Sequence, residues 1–362
     1  MIRKLLPLIA IFILGAAAVP SVLGMAAAVY PANGLPNSVE FGYGAWVHAN
    51  GGSPETAINT AKNLNLDWIA LELNWAAQWP DPSLSPDLGA LANTLNLANQ
   101  QRIPVMLSIH TPPAWVMTAQ GPNADVLSNF LVQLVQAYPS IHAIEVLPGA
   151  NTIAGWGTMP NATSYTALFQ NVHQQITQLN LGITLIAAGL QTPVQAGDIT
   201  ETDFLRQLYA TGIKPIMPIV SVQLDQIQGD VLDYPSPDNP FVLRRYENIR
   251  MVMMQNQHPE GLLWVTRFSW PDMLQANPAQ QANWLFSSYQ MMSAQLYIGT
   301  AVFDSLNPSP NAQGRSSLIL PDQTQHPALQ RYLDITSVSG GEMTSLQTTY
   351  KRIQTNKGRF RP

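Results

Sequence analysis

Read from residue 38 onward, the chain alternates between two hydrophobic patterns. Short runs of consecutive apolar residues recur at 38–47, 66–75, 103–110, 141–148, 182–190, 213–222, 262–270 and 296–304, as expected of strands buried on both faces. Between them lie longer stretches with apolar residues at helical spacing, near 54–65, 86–101, 123–138, 161–179, 201–210, 239–257, 278–295 and 325–335. Capping chemistry marks several helix starts. Ser53-Pro54-Glu55, Ser85-Pro86-Asp87 and Asn277-Pro278 each set a cap residue before a first-turn proline, and Asn161 precedes a fourth helix. Eight strand–helix units predict an α/β protein, a parallel sheet closed into a single-domain (β/α)8 TIM barrel. An open doubly wound sheet is the alternative, but no Gly-x-Gly-x-x-Gly follows the first strand.

The ends of the chain break the alternation. Arg3 and Lys4 precede an uncharged segment from Leu5 to Tyr30, which predicts a signal peptide or an uncleaved signal anchor over 1–30. Ala26-Ala27-Ala28 offers a small-residue cleavage site, and the two basic residues hold the N-terminus inside. A linker at 31–37 leads into the barrel at 38–343. The tail at 344–362 carries Lys351, Arg352, Lys357, Arg359 and Arg361 without an acid and is expected to be disordered. An exported protein is expected, secreted or anchored at the outer face of a membrane that it touches only through its N-terminal segment.

Composition fits that picture. Charged residues are 11% of the chain against the usual quarter, so Asn, Gln, Ser and Thr must cover much of the surface. A net charge of −5 gives no reason to expect a nucleic-acid partner. With no cysteine there is no disulfide, thiolate nucleophile or cysteine metal site. The six histidines show no ligand spacing, so neither a metal nor a cofactor is expected.

In such a barrel, chemistry belongs at the C-terminal ends of the strands. The strand beginning at Ile141 ends in Pro148-Gly149-Ala150-Asn151 and opens into a loop carrying Trp156. Proline, glycine and alanine offer no side chain that moves a proton. Trp46, Trp75, Trp79, Trp115, Trp156 and Trp270 fall at or just beyond strand ends, where aromatic faces suit the CH-rich face of a sugar. Glu72, Asp225, Asp272 and Asp304 lie near strand ends, as do His48 and His110, while Glu145 lies within a strand. A buried carboxylate needs a partner, and Arg267 is the expected counter-ion for Glu145 and Glu72.

The order of these segments resembles the clan A glycoside hydrolases, and within them the cellulase-like and β-xylosidase-like group, over roughly residues 40–335. The resemblance rests on Phe41-Gly42-Tyr43-Gly44, the Trp68 to Trp75 strand with its following Trp79-Pro80, and the turn from Ser108 through His110 to Trp115. It also rests on Ile144-Glu145-Val146 against the family's Tyr-Glu-Ile-Trp-Asn-Glu-Pro-Asn. The last piece is Trp264-Val265-Thr266-Arg267-Phe268-Ser269-Trp270 against Trp-Val-Thr-Glu-Phe-Gly-Trp. It implies hydrolysis of O-glycosyl bonds by two carboxyl groups about 5 Å apart. Aligned this way, the family's acid/base falls on Gly149, the asparagine before it on Pro148, and the nucleophile on Arg267. Three readings follow. One is a catalytically degenerate pseudo-glycosidase binding carbohydrate or an envelope partner, with Trp46, Trp115, Trp156 and Trp270 stacking and His110, Asn151 and Arg267 as polar contacts. Another is an active hydrolase with carboxylates relocated to Glu72, Asp272 or Asp304. The third is a structural envelope scaffold with a plugged mouth.

Overall fold

The computed structural model describes residues 41–236, 238–270, 277–309 and 317–339. Eight parallel strands close into one barrel: β1 (Gly42–Trp46), β2 (Trp68–Asn74), β3 (Val105–His110), β4 (Ile141–Val146), β5 (Thr184–Leu190), β6 (Ile219–Leu224), β7 (Leu262–Phe268) and β8 (Ile298–Phe303). Closure is made by β1 and β8, with Gly42 opposite Thr300 and Ala45 opposite Phe303. The strands are ringed by α1 (Pro54–Asn63), α2 (Gly89–Gln101), α3 (Ala124–Ala137), α4 (Ala162–Gln178), α5 (Glu201–Ala210), α6 (Tyr246–Gln255), α7 (Pro278–Ser293) and α8 (Ala328–Ser339). The protein is a (β/α)8 TIM barrel.

Three helix starts use the expected caps. The side chains of Ser53, Asn161 and Asn277 accept hydrogen bonds from the backbone N–H groups of Thr56, Ser164 and Gln280. Ser85 does not cap. α2 begins at Gly89, and Asp87 Oδ1 accepts instead from Gly89 N at 3.0 Å. Prolines also shorten two expected elements. Lys214–Ile216 forms a 3-10 turn ahead of Pro218, so β6 starts at Ile219 rather than near 213. Pro240 precedes a second such turn at Leu243–Arg245, and α6 begins only at Tyr246.

The barrel axis is filled by side chains. Trp68 and Trp264 meet edge to face at 5.1 Å between Ala70, Met106, Ala143, Ile186 and Val302. Gly44 permits this packing: a Cβ there would lie 3.1 Å from Val302 and 3.3 Å from Trp68. Nearer the C-terminal ends, the fully buried Glu145 accepts hydrogen bonds from Ser108 Oγ (2.7 Å), Thr266 Oγ1 (2.5 Å), Ser221 Oγ (3.0 Å) and Gln223 Nε2 (3.1 Å). Hydroxyls and an amide from β3, β6 and β7 therefore hold this carboxylate, and the expected Arg267–Glu145 pair does not form. Arg267 is engaged elsewhere.

Candidate functional site

Five strands bring charged side chains to one end of the barrel. Arg267, from β7, lies with its guanidinium carbon 3.9 Å over the ring of Trp46 from β1. Its Nη2 is 3.5 Å from Glu72 Oε1 on β2, and its Nε is 3.5 Å from Asp304 Oδ2 just beyond β8. His110 Nε2, at the end of β3, is 3.0 Å from Glu72 Oε1, and His48 Nε2 is 3.3 Å from Asp304 Oδ1. The result is a continuous chain, His110–Glu72–Arg267–Asp304–His48. Asn307 fixes one end of it, accepting from His48 N and donating to His48 O, both at 2.9 Å.

This arrangement decides protonation. Burial pushes the Glu72 carboxyl up, but the His110 hydrogen bond and the charges of Arg267, His110 and His48 outweigh it and hold the group at about 2. Burial likewise raises Asp304, and Arg267 and the His48 hydrogen bond bring it below the ordinary carboxylate range. Both carboxylates are ionised at neutral pH. Next to them opens a polar cleft of about 390 Å³ lined by His48, Asn50, Glu72, Asn74, Gln78 and Asp87. Sequence reasoning missed Asn50, Asn74 and Gln78 and read Asp87 only as part of a cap motif, because loop polar residues look alike until a fold gathers them.

No family model and no curated protein matches the chain. Solved structures do match. A family 39 glycoside hydrolase from the gut symbiont Bacteroides cellulosilyticus aligns with a TM-score of 0.64 at 14% identity, covering 83% of this chain and 64% of its own. The GH39 enzyme from Xanthomonas axonopodis pv. citri gives 0.61 at 13%, covering 84% and 67%. A GH128 endo-β-1,3-glucanase from Pseudomonas viridiflava gives 0.52 at 14%, covering 81% and 96%. This chain thus spans about two thirds of the two GH39 proteins. The chain has a clan A-like fold.

On that barrel, Gly149 lies three residues past the end of β4. Its backbone is left-handed, with φ +75°, and its N–H donates to Gly189 O at 2.7 Å. A Cβ at this position would lie 2.7 Å from Gln191 Oε1. Asn151 is buried and holds two loops together. Its Nδ2 donates to Gln191 O (2.7 Å) and Ile199 O (2.8 Å), and its Oδ1 accepts from Gln191 N (2.9 Å). It pins the loop after β4 to the loop after β5, with both amide hydrogens used and the side chain closed off from solvent.

Most of the expected aromatic faces are covered. Trp46, Trp156 and Trp270 are each 1% exposed. Trp46 lies under Arg267 and donates to Thr266 O at 2.8 Å, Trp156 packs on Tyr165, and Trp270 stacks on Trp284. Trp75 is buried against Phe130. They serve as core because a large ring near a barrel mouth gains more from burial than from water. Trp115 and Trp79 are only half-buried, edge to face at 4.9 Å, with Trp115 Nε1 donating to Trp79 O at 3.0 Å. Asp225 lies just past β6, and Asp272 lies outside the described residues. Among the described residues no cluster of His, Asp and Glu suits a metal ion, and no helix is long and apolar enough to cross a membrane.

Proposed function

We propose that this protein is an exported, non-hydrolytic carbohydrate-binding barrel that holds a glycan in the cleft beside Glu72. One observation carries the reading: Arg267 sits between Glu72 and Asp304, within 3.5 Å of each. Glycosidic cleavage needs a carboxylic acid that still holds its proton near neutrality, and a permanent cation beside both carboxylates removes that capacity. The cation also opposes the positive charge that develops on the sugar in the transition state. A cleft rich in amide, imidazole and carboxylate groups supports binding of hydroxyl-bearing ligands, and its open volume argues against a plugged scaffold. The basic, then apolar, start of the chain supports export.

Isothermal titration of the full chain against neutral oligosaccharides tests this reading. Heat is expected with at least one of them, and the combined Asn74→Ala and Gln78→Ala substitution should weaken that binding about tenfold by removing hydrogen bonds to sugar hydroxyls. Absence of heat across the panel contradicts the proposal.

A further inference from the structure

A second pocket, sharing no lining residue with the Glu72 cleft, lies between the loop after β6 and α7. α7 packs closely on α8 but scarcely meets α6, and residues of the loop after β6 lie beside it. What remains is a groove of about 530 Å³ lined by Asp230 and Leu232 from that loop and by Gln280, Asn283, Trp284 and Gln290 among others from α7. The α7 residues recur at helical spacing and so share one face of the helix.

Trp284 is half-buried, and it has a rigid backing. Its ring lies parallel to that of buried Trp270, with centroids 5.6 Å apart and planes 19° from one another. An indole held on one side by a second indole cannot turn freely, so the surface it offers the groove is pre-organised. Around it, Gln280, Asn283 and Gln290 are exposed, and among the described residues their side-chain amides have no hydrogen-bond partner. Each amide supplies donors and an acceptor, the complement of adjacent sugar hydroxyls. Among the described residues no Lys, Arg or His lines the groove, and Asp230 is its one carboxylate. That balance disfavours an anionic ligand, while Leu232 and Met291 add apolar surface beside the indole.

We infer that this groove is a second carbohydrate site, in which a sugar ring of a neutral glycan stacks on Trp284 and its hydroxyls are held by Gln280, Asn283, Gln290 and Asp230. It is independent of the mouth, because none of its lining residues contributes to the Glu72 cleft.

The test is direct observation of the ring. The full chain, labelled with 15N-tryptophan, is titrated with xylohexaose and with laminarihexaose, and the Trp284 indole resonance is assigned from its disappearance in Trp284→Phe. With at least one probe that resonance should shift and saturate. The Gln280→Ala, Asn283→Ala, Gln290→Ala triple variant changes only exposed side chains and should weaken that saturation about tenfold or more, while Asn74→Ala in the mouth leaves it unchanged. An unmoved Trp284 resonance with both probes overturns the inference, whether or not other indoles respond. So does unchanged affinity in the triple variant. If the mouth binds nothing, Trp284 still shifts, which separates failure of the mouth reading from failure of this one.

Discussion

A guanidinium 3.5 Å from two carboxylates and stacked 3.9 Å over an indole is a fixed charge with little freedom to leave, and the mouth titrates accordingly. Replacing it should release its neighbours. In Arg267→Met, the Glu72 carboxyl should rise from about 2 toward the ordinary 4.5, read by NMR titration of the side-chain carbon. The sign for stability follows. Glu72 is depressed on folding, so its contribution is present above pH 4.5 and lost as the pH falls toward 2. Across that window the urea midpoint of the wild type should fall more steeply than that of Arg267→Met, and parallel curves would count against the clamp. Glu145 is held by neutral partners instead. Glu145→Ala removes the buried acceptor shared by the Ser108 and Thr266 hydroxyls and the Gln223 amide, and urea unfolding should show a loss of about 3 kcal/mol. At this scale the sequence was partly legible. It identified Arg267 as a counter-ion and Glu72 as its partner, but assigned it to Glu145 as well, since adjacency along a strand does not reveal which hydroxyls from other strands reach a carboxylate first.

Elements were the most legible level, since strand and helix periods are local properties of the chain. Each of the eight expected strands and eight expected helices has its counterpart, and the displaced ends lie near prolines. Caps give a paired prediction. Asn161→Ala removes the acceptor for Ser164 N and should cost about 1 kcal/mol in urea unfolding, whereas Ser85→Ala, at a serine that caps nothing, should stay within about 0.5 kcal/mol of wild type. A comparable loss at Ser85 would mean that α2 starts where the sequence motif places it. The loop after β4 shows where local reading stops. Asn151 looks like a ligand contact in sequence, yet its three hydrogen bonds all go to backbone brought in from β5 and beyond.

For the whole molecule, the barrel was readable because its strand–helix rhythm admits few closed arrangements, and structural likeness to family 39 and family 128 proteins bears out the fold. The site was less readable. Tryptophans near strand ends are equally compatible with stacking on sugar and with closing the core, and only three-dimensional packing separates Trp46, Trp156 and Trp270 from the half-exposed Trp115. The same packing limits what glutamates could do at the two positions that the resemblance aligns with the family's carboxylates. In Gly149→Glu with Arg267→Glu, position 149 needs a left-handed backbone and brings a Cβ to 2.7 Å from Gln191, so no glycosidase activity should appear. On the proposed reading Arg267 keeps the mouth carboxylates from handling protons, and glycoside turnover tests this. Incubated with aryl β-glycosides near neutral pH, the full chain should release no more aryl alcohol than an enzyme-free control. Release above that control that vanishes in Glu72→Gln or Asp304→Asn would contradict it.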